Sequence, residues 1–124
     1  MARRPSFPRR GSVYRVALDP TVGHEIRRTR PAVVISNDHM NELAATILVM
    51  PITAGHHTYF HWIEVTPPEG GLTKPSSIIT EQIRTIDKSR LRRRLGAVRA
   101  PTMESIEQAI RDHFGLPEGN LLAP

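Results

Sequence analysis

Polar and apolar residues alternate over 12–18 (SVYRVAL), which puts Tyr14, Val16 and Leu18 on one face of a half-buried strand. Asp19-Pro20 ends that strand, and Gly23 lies in a loop running to Thr29. Residues 31–36 (PAVVIS) form a short apolar strand stopped by Asn37-Asp38, and 39–45 read as a loop or one helical turn. Residues 46–53 (TILVMPIT) read as a central strand, with Pro51 implying a bulge or an edge near its end. After a Gly/His/Thr-rich connection come a strand at 61–66, a Pro/Gly-rich loop and a strand at 77–84 (SIITEQIR). Asp87 is placed to cap a short helix over 88–94 that ends in Arg92, Arg93 and Arg94, and 95–98 offer a last strand. Thr102 then caps a long helix whose stripe is Met103, Ile106, Ala109, Ile110, His113 and Phe114, closed by Gly115. Six short strands and one helix predict a mainly β protein with some α structure, a small, partly closed antiparallel barrel sealed by a C-terminal helix.

Composition narrows the setting. The 124 residues make one domain, with a tail at 1–10, a body at 11–116 and a C-terminal tail at 117–124. There is no cysteine, hence no disulfide or thiolate metal site, which fits a cytoplasmic protein. No apolar run is long enough for a membrane span, and the early arginines are not followed by a secretion-type hydrophobic stretch. The net charge of +5 points to a polyanion, yet Arg3, Arg4, Arg9 and Arg10 supply most of it. The body is nearly neutral, so any basic patch must be local.

The candidate chemistry gathers where charge meets a stiff backbone. Arg30 precedes Pro31 and a β-branched run, which holds its guanidinium at a strand mouth, a geometry suited to gripping a phosphate. The loop GHEIRRTRP concentrates His24, Glu25, Arg27, Arg28 and Arg30, groups able to bind phosphate and move a proton. The same pattern also describes a solvated charged loop. Thr53 ends the 46–53 strand and approaches Arg30 if that strand pairs beside 31–36. Glu81 and Gln82 point to opposite faces of their strand, Gln82 suited to a base edge and Glu81 to an arginine. His56, His57 and His61 match no zinc spacing, so no metal or other cofactor is expected. Trp62 is either a core residue or a stacking platform for a base.

Four runs in register, GSVYRVALDPTVG (11–23), TRPAVVISND (29–38), PIT (51–53) and EQIRTIDKSRL (81–91), resemble the MazF/PemK family of toxin endoribonucleases. The resemblance implies an SH3-like barrel of the CcdB/PemK kind with a C-terminal helix, assembled as a homodimer. It also implies metal-independent, sequence-selective cleavage of single-stranded RNA, inhibited by a cognate MazE-like antitoxin. The family's catalytic arginine and threonine fall on Arg30 and Thr53. Its acidic first-loop residue falls on Glu25, and its RNA-holding glutamine on Gln82. Arg27, Arg28, Asn37 and Arg84 complete the expected RNA-contacting set. Where many members carry Ser-Glu-Gln after the loop glycine, this chain has His24, Glu25 and Ile26.

In this chemistry the ribose 2′-OH is the nucleophile, and the protein stabilises charge on phosphorus and moves protons. Arginine is a poor base because it stays protonated, which leaves His24 or Glu25 to accept the 2′-OH proton. The competing expectation is a non-catalytic SH3-like toxin or interaction module that binds DNA gyrase, or binds RNA without cutting it.

Overall fold

The computed structural model describes residues 6–18, 22–24, 28–59 and 61–118. Among these, seven strands form one antiparallel system: β1 (Ser12–Ala17), β2 (Thr29–Val34), β3 (Thr46–Ala54), β4 (Ile63–Val65), β5 (Ser76–Ile78), β6 (Arg84–Asp87) and β7 (Leu91–Ala97). Their order is β4-β5-β3-β2-β1-β7, and β6 pairs with the first half of β3. A short helix α1 (Asp38–Leu43) follows β2, and α2 (Ala100–Phe114) closes the fold. The small barrel-like architecture is as expected, although the sheet stays open between β4 and β7.

The central strands are buried on both faces. Val13, Val33, Met50 and Ile52 join Ile106 of α2 in one cluster, while Val16, Ala32, Val34, Ile47, Val49 and Ile86 form a second. The half-buried alternation read in β1 is therefore incomplete, because Val13 on its supposedly wet face is fully buried. Each buried Val, Ile or Met among them contributes about 1.5–3 kcal/mol by leaving water.

Pro51 sits in mid-sheet, opposite Ala32, rather than at an edge or a bulge. Its carbonyl accepts from Ile79 N at 2.9 Å, so its ring nitrogen faces the same side, where β3 changes partner from β6 to β5. A missing N–H costs nothing at that gap.

The strand expected over 77–84 is two strands with a turn between them. Gln82 N bonds back to Ile79 O, so Glu81 and Gln82 stand on a turn and do not alternate along a strand. Asp87 caps as predicted, accepting from Ser89 N at 2.8 Å, but the helical turn lasts only over Lys88–Arg90. Arg92, Arg93 and Arg94 lie on β7, paired with β1, where sheet hydrogen bonds override helix propensity.

Thr102 is inside α2, and Arg99 holds the cap position without a side-chain cap bond. The capping role passes to Glu69, on the turn Glu69–Gly71. Its Oε2 accepts from Arg99 N (2.9 Å) and Thr102 Oγ1 (2.6 Å), placing a carboxylate at the positive end of the helix. Burial opposes ionisation of Glu69, but the Thr102 and Arg99 hydrogen bonds and the Arg99 charge outweigh it and hold its carboxyl below the usual range. A lowered folded-state pKa means this stabilisation is complete above the ordinary glutamate range and is lost as pH falls through the lowered value. Glu69→Gln is expected to cost about 1–2 kcal/mol at neutral pH in urea melts, and progressively less as pH falls below the ordinary glutamate range.

Gly115 ends α2 in the left-handed region (φ 65°), as read from the sequence. Phe114 is 64% exposed and lies outside the buried stripe. At the other end, Arg10 belongs to the body: its backbone N bonds Asp38 (2.7 Å) and its guanidinium bonds Ile35 O and Glu107. Glu118 bonds back to Gln108 at 3.0 Å.

Candidate functional site

Arg30 and Thr53 occupy facing register positions just beyond the β2–β3 ladder. The β2–β3 ladder pairs Val34 with Val49, Val33 with Met50 and Ala32 with Pro51, so continuing it by two residues sets Arg30 opposite Thr53. Alternation then directs both side chains to the face of Ala32, Val34 and Val49. Arg84 joins that face: it pairs with Val49 and lies two residues from Ile86. Its Nη1 is buried with no hydrogen-bond partner among the described residues. A buried guanidinium nitrogen without an acceptor is costly, and an anionic ligand would satisfy it.

Arg30 also borders a cleft of about 410 Å³ whose charged lining, among the described residues, is Arg15, Arg28, Arg30 and Lys74. Thr53 is not part of that lining; its neighbours Ile52 and Ala54 are, because they leave β3 on the opposite face. The candidate catalytic pair and the cationic cleft thus share Arg30 and lie on two sides of the β2–β3 rim. Arg28 takes a left-handed backbone (φ 71°), unusual for a non-glycine residue and of a kind that gathers at functional sites. Arg15 and Lys74 escaped the sequence reading. For Arg15 the available signal was its polar position in β1, in register with Pro31; Lys74 carried none, being a lone lysine in a Pro/Gly loop.

The other expected residues are dispersed. Asn37 caps α1, its Oδ1 accepting from Met40 N at 2.8 Å, so its side chain has a structural task. His24 and Gln82 line a separate pocket with Tyr59, Trp62, Glu81 and His113. Glu81 pairs with an indole rather than an arginine, accepting from Trp62 Nε1 at 2.8 Å. Trp62 belongs to neither buried cluster. Glu25 and Arg27 lie outside the described residues. Among the described residues, no group of three or more His, Asp or Glu side chains is placed to hold a metal ion, and no helix is long and apolar enough to cross a membrane.

Comparison with known proteins gives a consistent picture. The fold resembles that of MazF from Deinococcus radiodurans, with a TM-score of 0.80 at 20% identity over 90% of this chain and all of the other. A mycobacterial endoribonuclease solved in complex with its cognate antitoxin superposes with a TM-score of 0.71 at 28% identity, over 90% of this chain and 96% of the other. In sequence, the chain is 37% identical to the endoribonuclease MazF of Staphylococcus epidermidis over 111 residues, 87% of this chain and 92% of that one. It is 35% identical to endoribonuclease MazF9 of Mycobacterium tuberculosis over 114 residues, 87% of this chain and 97% of that one. The class defined by fold and site is a small toxin barrel. Residues 9–114 match the model of the PemK-like, MazF-like toxins of type II toxin–antitoxin systems, and the chain belongs to that family.

Proposed function

We propose that this chain is the toxin of a type II toxin–antitoxin pair, an endoribonuclease that cuts single-stranded RNA in the cytoplasm at short sequence motifs. The observation that carries the reading is a cleft whose charged lining, among the described residues, is the four cations Arg15, Arg28, Arg30 and Lys74, with Thr53 at the register position facing Arg30 beyond the β2–β3 ladder.

The reaction needs no metal ion. The 2′-oxygen of the nucleotide before the cut forms a bond to phosphorus and loses its proton to a base. The bond from phosphorus to the 5′-oxygen breaks, and that oxygen gains a proton. The products are a 2′,3′-cyclic phosphate and a 5′-OH. Charge on the phosphorane is neutralised by Arg30, which contributes a few kcal/mol, with the neutral Thr53 hydroxyl donating beside it for about 1.4 kcal/mol. Arg84, with its unmatched buried Nη1, suits a third contact to the same phosphate. Arg15, Arg28 and Lys74 suit the flanking backbone phosphates.

Proton removal falls to His24 or Glu25, on the loop that leads into Arg30, and Arg27 extends the basic surface of that loop. Asn37 faces solvent beyond its cap bond and adds a polar contact at the surface. The working unit is a homodimer, restrained by a cognate MazE-like antitoxin. The antitoxin-bound mycobacterial relative supports that partnership.

The test is digestion of a long single-stranded RNA in EDTA with mapping of fragment ends. Discrete cuts bearing cyclic phosphate and 5′-OH ends are expected. A substrate with 2′-deoxy at the scissile nucleotide should bind and resist cleavage; cutting it would remove the internal nucleophile from the mechanism. In the same assay, an unchanged pH profile for His24→Ala would leave Glu25 as the base.

A further inference from the structure

The pocket holding Trp62 is built like a receptor for one flat, partly polar group. Tyr59 is 62% exposed and packs in a triangle of rings, stacked on His57 at 5.8 Å and tilted against Trp62 at 4.6 Å, with His57 edge-on to Trp62 at 5.5 Å. Trp62 is held in place by its 2.8 Å bond to Glu81 Oε1. The third ring, His57, is tied to the sheet. His57 N bonds Ser77 Oγ at 3.2 Å, its Nε2 meets Ala54 O at 3.2 Å, and Ser77 is the β5 partner of Thr53. His24, also in the lining, comes from the loop that leads to Arg30. The pocket is therefore anchored to both strands that carry the proposed catalytic pair. Its volume of about 500 Å³ lies within the usual range for small-molecule sites.

Its polar lining discriminates. The Gln82 side chain offers both a donor and an acceptor, so by itself it suits any base edge. Glu81 breaks that symmetry, because a carboxylate only accepts. Its Oε1 is taken by the indole, and Oε2 carries no bond among the described residues. An exocyclic amine beside Oε2 gains a charge-assisted hydrogen bond, whereas a carbonyl there meets a negative oxygen.

We propose that this pocket is a base-specificity subsite. It takes one unpaired nucleobase of the RNA, packed against the corner formed by Tyr59 and Trp62, and Glu81 selects bases that carry an exocyclic amine, tested with adenine and cytosine, over uracil. The inference rests on the endoribonuclease reading, and its test is separable from it.

Trp62 is the chain's single tryptophan, so its fluorescence reports on this pocket alone. The experiment titrates the intact protein with short 2′-O-methyl oligomers of A, C and U, which bind without being cut. Quenching of Trp62 is expected at concentrations at least about tenfold lower for A and C than for U. Glu81→Gln keeps an acceptor for the indole and should bring the three curves together, because an amide can also donate to a carbonyl. Tyr59→Ala alters an exposed side chain and should weaken A and C binding about tenfold or more. In the cleavage motif, Glu81→Gln should admit uracil at one position and leave the others unchanged. Equal quenching by all three oligomers, or quenching by none from a protein that still cleaves RNA, would overturn the subsite and leave the nuclease intact. Base-selective quenching from a protein that cuts no RNA would keep the subsite and overturn the nuclease. Quenching by an antitoxin-type peptide and by no oligomer would assign the pocket to a protein partner instead.

Discussion

Arg30→Ala is expected to reduce single-turnover RNA cleavage by about a hundredfold to a thousandfold while leaving the fold intact, the scale seen when one preorganised charge-stabilising donor is removed. The residue lies at the end of β2, two positions beyond the last β2–β3 pair and only half-buried, so truncation opens no core cavity. Arg30→Lys should recover little of the loss: an ammonium restores the charge but not the planar fork that holds two phosphate oxygens. Thr53→Val removes one neutral donor from the same rung and should cost less, on the order of tenfold. Rates in EDTA, read beside thermal melts, check the series. A fully active Arg30→Ala protein with an unchanged melt would remove Arg30 from the chemistry.

Gly71→Ala is expected to be the most destabilising single-methyl change in the molecule. A Cβ there would stand 1.9 Å from the Leu95 carbonyl oxygen and 2.4 Å from its carbon, on a backbone already at φ +70°. Both obstacles are main chain, so no side-chain rotation relieves them. Gly96 faces the same contact from the other side, its Cβ meeting Gly71 N at 2.7 Å. This close approach lets β7 lie against the turn that presents Glu69 to α2. A cost above about 3 kcal/mol is expected, with a melting temperature at least about 10 °C lower. Gly115→Ala is the control, because it has a similar φ (+65°) with nothing within 4 Å and so reads backbone strain alone. If the two variants melt together, the packing of β7 on the turn is not what requires glycine.

The central β1–β2–β3 sheet and the long helix were legible because their signals are local. A β-branched run such as Val33-Val34-Ile35 favours strand wherever it falls, and helical spacing with a terminal glycine marks α2. The misread segments are those where a distant element decides. Glu69 takes the capping role that Thr102 was expected to fill, since its carboxylate, from another part of the chain, accepts from the Arg99 amide and from the Thr102 hydroxyl itself. Arg92–Arg94 extend along β1 because sheet pairing outweighs a weak helical preference. The 77–84 segment breaks at Gln82, and β5 and β6 then pair with different stretches of β3.

The candidate site divides along the same line. Arg30 before a proline and Thr53 at a strand end could be nominated from the chain, since their positions depend on backbone stiffness within a few residues. That they take facing register positions depends on the β2–β3 pairing, which is long-range. The Arg15 and Lys74 lining of the cleft, the unmatched Arg84 Nη1 and the Tyr59–Trp62–Glu81 pocket also arise only when separate strands and loops converge. The sequence by itself determined the family, the strand-rich class and the identity of the two central candidates. The tertiary structure decided which charges share a cleft and which rings share a pocket, because the distances that govern electrostatics and stacking are set by chain segments far apart in sequence.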